Sequence, residues 1–473
     1  MTLPLNKTKI VATIGPASES PEMLEKLIRA GMNIARINFS HDNFTGHAER
    51  IARIRAAQQV TGRRVAVMAD LPGPKMRVGR ISPEPIELRS GDDFTLTSED
   101  VVGTRERVSM SFEPLPRVVK PGDRLFLNDG LVQLMVERVS GNDVHCKVAV
   151  GGELRSKKGL NLPGIDLGIS AFTDHDRECL EFALAQGVDA ISQSFVETAA
   201  DIKSVRAAAR SFGKDPFIIA KIERADALEH FDEILKEADG IMVARGDLGV
   251  EVPIEQIAII QKQLITKAGL AGKPVITATQ MLESMVSSRL PTRAEATDVA
   301  NAILDGTDCI MLSGESAMGR FPEESVAMLA GIAAYTEAHR PSMRHDDLRA
   351  AMRPTIVAEA LSKVVENALE TVPCAAILVP TDSGTTARMI SRFKPSPWII
   401  AFSGTPSICQ GLAFSYGIHP VLMAAEPENW SDFAGNCLRE HAVSGTIALL
   451  VAGPSEHNHK ANYCIEFIRV GCA

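Results

Sequence analysis

The segments FIIAKIERADAL and IMVARGDLGVE carry an ammonium, Lys221, two residues before a carboxylate, Glu223, and then a second carboxylate, Asp247. Each group closes an apolar run. A spacing of two places Lys221 and Glu223 on one face of a strand. Two carboxylates from successive strands suit Mg²⁺, a hard ion that takes few protein oxygens and completes its shell with water and substrate. An ammonium beside that metal can stabilise a developing enolate. Taken alone, the trio is equally well explained by a structural salt bridge between Lys221 and a neighbouring acid.

A second constellation is Arg36, Asn38 and Ser40 in ARINFSH. A guanidinium matches phosphate oxygens two at a time, whereas a single arginine at a strand end would read as a cap. Arg245-Gly246-Asp247 is also the tripeptide that adhesion proteins present to receptors. The four residues before it, Ile241 to Ala244, show no polar alternation, which predicts a strand covered on both faces rather than a surface hairpin.

These groups need elements to hold them. From residue 188 apolar runs recur about every 25 to 35 residues: VDAISQSF, PFIIAKIE, GIMVARGD, KPVITATQ and DCIMLSGE. Helix-like segments that stop at Gly213 and Gly272 alternate with them, as in a parallel sheet. KIVATIGP, MNIARINFS and RRVAVMADLPGP open the chain and bring the count to eight. Eight such units predict an α/β fold, a closed (β/α)₈ barrel with its site where strands run into the following loops. Asp70, Thr279 and Ser313 end other runs.

Between residues 79 and 167 the rhythm gives way to Gly, Pro and alternating β-type segments such as RLFLNDGLVQLMVERV and NDVHCKVAV. The expected organisation is a barrel from 1–78 and 168–345, an inserted small β-barrel lid over 79–167, and a separate C-terminal α/β domain over 346–473. In the last, TIVAEALSKVVENALE predicts a helix and AAILVP, PWIIAF and TIALLVAG predict buried strands.

Composition narrows the function classes. With 23% charged and 45% hydrophobic residues and a net charge of −9, the chain is an ordinary folded protein with no general affinity for nucleic acid or anionic membrane. Its eight cysteines contain no C-x-x-C pair, which predicts reduced, mostly buried thiols. The opening MTLPLNKTKIVATIGP lacks a basic stretch followed by a long apolar one, so a cytoplasmic location is expected and the adhesion reading loses support. The sequons at Asn6, Asn38, Asn43 and Asn429 then read as chance matches.

Long ordered motifs cover nearly the whole barrel: KIVATIGPAS, NIARINFSH, MADLPGPKMRVG, KKGLNLPG, IAKIERADAL, IMVARGDLGVE, TATQMLESM and PTRAEATDVANAILDGTDCIMLSGESAMG. On these the chain resembles the pyruvate kinase family from end to end. The resemblance implies the barrel, the lid and a C-terminal regulatory domain. It implies phosphoryl transfer from phosphoenolpyruvate to ADP, giving pyruvate and ATP, the last step of glycolysis, in a homotetramer. By the same resemblance Glu223 and Asp247 hold Mg²⁺ (or Mn²⁺), and Lys221 and Arg36 neutralise the phosphoryl group. The Gly246 and Asp247 amides take the substrate carboxylate, Arg245 forms part of the cleft wall, and Thr279 and Ser313 supply a proton path to the enolate carbon. Thr13, His41, Arg77 and Lys158 match nucleotide-contacting positions, Lys158 from the lid.

The chain also departs from the family pattern. DLPGPK, Asp70 to Lys75, stands where many relatives have Asp-Thr-Lys-Gly-Pro-Glu. In those relatives the acid accompanies a K⁺ held by groups matching Asn38, Ser40, Asp70 and the carbonyl of Leu71. Lys75 instead supplies a fixed ammonium, which predicts that K⁺ is not required. Asp42 replaces a usual glycine and reads as a solvated loop carboxylate. In the C-terminal domain PTDSGTTAR sets Thr381, Ser383, Thr385 and Thr386 around Gly384, a turn able to cradle phosphate. It matches the family's effector loop and predicts activation by a phosphorylated sugar or a nucleotide monophosphate. The segment SEHNHKANYCIEF lacks the familiar glycine-rich effector loop. A Mg²⁺-dependent lyase or aldolase acting on a pyruvate enolate is the competing enzyme reading, and it would need no nucleotide.

Overall fold

The computed structural model describes residues 2–74, 76–340, 354–423, 427, 429–454 and 462–470. The eight apolar runs form the eight parallel strands of one closed barrel: β1 (Lys9–Thr13), β2 (Met32–Asn38), β3 (Ala66–Leu71), β4 (Ala190–Gln193), β5 (Phe217–Ile222), β6 (Gly240–Ala244), β7 (Val275–Ala278) and β8 (Cys309–Leu312). Each strand pairs with its sequence neighbours, and β8 closes on β1. Both faces are covered, which explains the missing polar alternation. Val11, Ile34, Met68, Ile219, Met242 and Ile276 fill the barrel interior, while their neighbours, such as Ile10, Ala35 and Ile218, pack under the surrounding helices.

Register is pegged by a polar residue at the start of every even strand. Asn33 Oδ1 accepts from the Ile10 amide at 2.9 Å, Asp189 from Val67 at 2.7 Å, Asp239 from Ile218 at 2.8 Å and Asp308 from Val275 at 3.1 Å. The three acids are matched by Arg55, Arg206 and Lys394. Asp308 is buried and the other two are half-buried, and a carboxylate withdrawn from water persists when paired and hydrogen-bonded in this way. Since a slip of one residue would turn every side chain to the other face, these bonds fix which residues arrive at the C-terminal rim.

Between β3 and β4 the chain forms a six-stranded sheet with its own apolar core, which includes Phe94, Leu125, Val136 and Leu160. The segments expected to be β-structured there are the antiparallel strands Arg124–Leu127, Val132–Ser140 and Asp143–Val150. Arg224, fully buried, ties the returning segment to the barrel by donating to the Ile165 carbonyl at 2.9 Å.

The C-terminal region is a five-stranded sheet that begins with Ala376–Pro380 and Trp398–Ser403 and includes Ile447–Ala452, beside the helix Val357–Thr371. Two further strands, Ile418–Leu422 and the antiparallel edge strand Cys464–Arg469, lie where no strand was expected. The first contains Pro420, a poor strand former; the second, CIEFIR, sets a charged residue at every third position along a mostly exposed edge and so lacks the two-residue alternation that marks a strand. This region plugs the barrel's N-terminal end, where Phe414 stacks on Phe217 with centroids 5.3 Å apart. Five of the seven described cysteines are buried, and none is bonded to another. Most of the segment SEHNHKANYCIEF, and Cys472, lie outside the described residues.

Candidate active site

At the rim, β5 ends in a charge network that joins three strands. Lys221 Nζ lies 3.4 Å from Asp70 Oδ1 and 3.4 Å from Glu223 Oε2, and donates to Ser194 Oγ at 2.6 Å. Asp70, fully buried at the end of β3, accepts from Arg36 Nε at 2.7 Å and from Ser192 Oγ at 2.8 Å. Arg36 Nη1 also donates to Thr13 Oγ1 at 2.9 Å. Thus Thr13, Arg36, Asp70, Lys221 and Glu223 come together. Ser192 and Ser194, two residues apart on and just after β4, join them without having been anticipated. Burial pushes the Asp70 carboxyl up, but Lys221 and Arg36 outweigh it and hold the group below the ordinary carboxylate range. Burial likewise disfavours the Lys221 ammonium, yet Asp70 and Glu223 more than offset it and its pKa is raised. Both groups are therefore charged at neutral pH.

Glu223 is held differently. Its Oε1 accepts from the Phe195 amide at 2.6 Å, and Phe195 takes a left-handed backbone, φ 58°, to present that N–H. Its Oε2 is buried and, among the described residues, has no hydrogen-bond donor. Burial, with Asp247 adding repulsion against the pull of Lys221, pushes this carboxyl up to about 7. Asp247 lies in the first turn of the short helix Arg245–Glu251, directly after β6, and is exposed. Desolvation in the cleft still pushes its carboxyl up, with the lid residue Asp129 adding repulsion against the pull of Lys221. A dehydrated carboxylate oxygen without a donor, with a second carboxylate just beyond the next strand close enough to repel it, is a donor set that fits a hard divalent cation. Among the described residues no three acids, histidines or cysteines are grouped to hold a metal by themselves. Two protein oxygens with water and substrate completing the shell is the arrangement Mg²⁺ favours.

The proton-path candidates follow β7 and β8. Thr279 Oγ1 accepts from the Gly246 amide at 2.7 Å, so this N–H, expected to meet the substrate carboxylate, is engaged by the hydroxyl. Ser313 is set by Glu315, a fully buried carboxylate that accepts from the Ser313 amide at 2.8 Å and the Leu282 amide at 3.1 Å, linking the ends of β8 and β7. Arg245, expected to line the cleft wall, instead turns beneath the β7 rim, because the Ala278 and Thr279 carbonyls and Asp298 satisfy it there.

Arg77 and Lys158 lie side by side at the lid junction, where the Val78 amide donates to the Lys158 carbonyl at 2.9 Å and Arg77 bridges to Gly159. His41 is exposed in the turn after β2. Asp42 is exposed in the loop after β2, as expected of a solvated carboxylate, and is also paired. It adopts φ 69° and pairs with Arg50 at 2.6 Å, and Arg50 also grips Glu19 at 2.6 Å, since a guanidinium can serve two acids at once. Among the groups assigned to the monovalent-cation region, Asn38 Oδ1 accepts from the Ser40 amide at 3.0 Å and the Leu71 carbonyl from Ser194 Oγ at 2.7 Å. Lys75 lies outside the described residues, between the buried Pro74 and Met76.

In the C-terminal region Gly384 takes φ 78°, and its amide donates to Thr381 Oγ1 at 2.9 Å. The Ser383 and Thr385 hydroxyls are 2.9 Å apart, and Thr386 follows in the helix Thr385–Ser391. Arg388 braces the turn from that helix, donating to the Ser383 carbonyl at 2.7 Å. Among the described residues no helix is long and apolar enough to cross a membrane.

Comparison with known proteins agrees with this geometry. Residues 5–326 match the family described as pyruvate kinase, barrel domain, and residues 359–464 match pyruvate kinase, alpha/beta domain. A pyruvate kinase of Thermococcus litoralis is 51% identical over 427 residues, 89% of this chain and 90% of that protein. Pyruvate kinase 2 of Synechocystis is 43% identical over 463 residues, 96% of this chain and 77% of that one. A crystal structure of a pyruvate kinase from Cryptosporidium parvum superposes with a TM-score of 0.91 at 36% identity, covering 99% of this chain and 97% of that one. The likeness extends over nearly the whole length of the chain in both sequence and fold, and the chain belongs to the pyruvate kinase family.

Proposed function

We propose that the cleft catalyses Mg²⁺-dependent phosphoryl transfer from phosphoenolpyruvate to ADP, giving pyruvate and ATP in the cytoplasm. The observation that carries this reading is the buried Glu223 Oε2 beside Lys221, which has no hydrogen-bond donor among the described residues, with Asp247 in the helix that follows the adjoining strand. Glu223 and Asp247 hold the metal, which when bound supplies positive charge to the enolate and phosphoryl oxygens. Lys221, kept charged by Asp70, and Arg36, hydrogen-bonded to the same carboxylate, face the phosphoryl group as it leaves the enol oxygen for the β-phosphate of ADP. Such transfer needs positioning and charge neutralisation more than covalent help. The enolate's C=C electrons then take a proton at the terminal carbon, leaving the ketone of pyruvate. Thr279 and Ser313 relay that proton from solvent. Thr13, His41, Arg77 and Lys158 contact the nucleotide. The need for a nucleotide separates this reading from the lyase or aldolase alternative.

Lys75 takes the place of K⁺ in the loop after β3, and the turn from Thr381 to Thr386 takes the phosphate of an activating sugar or nucleotide monophosphate. A homotetramer is supported by an open groove of about 910 Å³ whose lining includes Leu290, Leu304, Met328 and Tyr335, with Leu290 66% and Tyr335 71% exposed. Manganese titration followed by electron paramagnetic resonance tests the central claim. Glu223→Gln and Asp247→Asn should each weaken Mn²⁺ binding at least tenfold and abolish ADP-dependent pyruvate formation. Unchanged Mn²⁺ affinity in both variants would refute it.

A further inference from the structure

Thr279 and Gln280 both adopt left-handed backbone conformations, φ 67° and 53°, although neither is glycine. A β-branched residue in this region is a genuine outlier and persists only where its surroundings hold it. What holds this turn is the side chain of Arg245. Its Nη2 donates to the Thr279 carbonyl at 2.7 Å and the Gln280 carbonyl at 3.4 Å, and its Nε to the Ala278 carbonyl at 3.3 Å. On the far side Nη1 is anchored by Asp298 at 2.7 Å and by Gln261 at 3.4 Å. The next residue along, Gly246, donates its amide to Thr279 Oγ1 at 2.7 Å. One dipeptide thus grips the turn twice, by its backbone carbonyls and by its hydroxyl. With a lone pair of Oγ1 committed to the Gly246 N–H, the Thr279 O–H proton must point elsewhere.

We propose that Arg245 is a positioning residue for the proton-transfer step: it clamps the turn at 278–280 so that the Thr279 hydroxyl presents its proton to the enolate carbon. The inference rests on the reading of Thr279 as part of the proton path. In that step the Thr279 O–H bond breaks as the C–H bond forms at the terminal enolate carbon, the C=C pair becomes the new C–H bond, and solvent restores the hydroxyl proton. The planar fork of arginine suits the task because it spans three successive carbonyls, which an ammonium cannot do.

The test compares wild type, Arg245→Met, Arg245→Lys, Asp298→Asn and Thr279→Val. Exchange of the methyl protons of pyruvate with D₂O is followed by ¹H NMR, with Mg²⁺ present and inorganic phosphate standing in for the transferred group. Mn²⁺ affinity and KM for phosphoenolpyruvate are measured in parallel. Because a positioned proton donor contributes about 10²-fold or more, Arg245→Met should lower exchange by roughly 30-fold or more while Mn²⁺ affinity and KM stay within about threefold. Arg245→Lys should recover part of the rate, and Asp298→Asn should show a smaller loss in the same direction. These last two keep the test decisive if Arg245→Met does not fold. The clamp is overturned if Thr279→Val abolishes exchange but the Arg245 and Asp298 variants do not, or if exchange, Mn²⁺ affinity and KM deteriorate in step. Undiminished exchange in Thr279→Val overturns the hydroxyl's role and, with it, the clamp.

Discussion

Asp70→Asn removes one charge from the centre of the network and almost none of its shape. Asp70 is 1% exposed, and its two oxygens serve Arg36, Lys221 and Ser192. An asparagine keeps one acceptor but turns an N–H₂ toward a buried cation. At the 3.4 Å separation of Lys221 Nζ and Asp70 Oδ1, Coulomb attraction with an effective dielectric of about 20 is about 5 kcal/mol. Removing one partner of a buried pair costs about 3–5 kcal/mol in practice. Because the stranded cations are the two that must face the phosphoryl group, most of that loss should fall on the transition state. At about 1.4 kcal/mol per decade the expected fall in kcat/KM for phosphoenolpyruvate is roughly 10²- to 10³-fold. A pH signature accompanies it. Burial disfavours the Lys221 charge, and Asp70 is the foremost group opposing burial, so Lys221 in the variant should lose its proton at lower pH. The charged form acts below its folded pKa and is lost as pH rises through it, so the alkaline limb of the profile should move down. A coupled pyruvate assay across pH measures both effects. A loss below about tenfold with an unmoved alkaline limb would show that Asp70 merely bridges strands and that Lys221 owes it nothing.

Two further perturbations test other parts of the molecule. Lys9, buried at the plugged end of the barrel, donates to the Ile418 carbonyl at 2.7 Å and lies 5.0 Å over the Trp398 ring, and burial lowers its pKa to about 8. Between about pH 8 and 10.5 the unfolded chain holds a proton that the folded chain lacks, so native stability should rise across that window by up to about 3 kcal/mol. Lys9→Met should remove the rise, and urea unfolding of both proteins near each end of the window reads it; a constant difference between them would count against a buried, depressed Lys9. Wild type assayed in tetramethylammonium buffer should lose less than about tenfold of its rate when KCl is omitted, a barrier change under about 1.4 kcal/mol, whereas Lys75→Glu should create a K⁺ requirement. A strict K⁺ requirement in wild type would contradict the ammonium substitution.

The eight barrel strands were legible in the sequence for a physical reason. Strands covered on both faces leave unbroken apolar runs, and a site at the barrel rim draws its chemistry from the polar residues that close those runs. The same rule exposed Arg36, Asp70, Lys221, Glu223, Asp247, Thr279 and Ser313. It could not expose what they touch. Ser192 and Ser194 share the two-residue spacing that marked Lys221 and Glu223, yet a hydroxyl carries no charge to advertise it, and Ser192 lies 122 residues from the Asp70 it supports. Arg245 was read as cleft wall because sequence gives a side chain's position along a strand and not the curl of the following turn. The left-handed Thr279 and Gln280 sit in a chain segment whose residue types predict no such turn.

Asn33, Asp189, Asp239 and Asp308 reveal what kind of information was missing. Each stands at or just before an even strand, inside or beside a run quoted for its apolar character, and each binds the amide of the strand before it. For Asp189 and Asp239 the matching cation comes from the barrel's own helices, but for Asp308 it is Lys394 of the C-terminal region, and Asp308 also accepts from the Tyr416 amide at 2.9 Å. The carboxylate that sets the register of β7 against β8 is therefore completed only when the C-terminal sheet is docked. These two strands end at Thr279 and Ser313, so the placement of both proposed proton-path hydroxyls depends on a contact at the opposite end of the barrel. Periodicity shows that strands exist and which residues finish them; which strand end is fastened by which distant cation follows only once the barrel has closed.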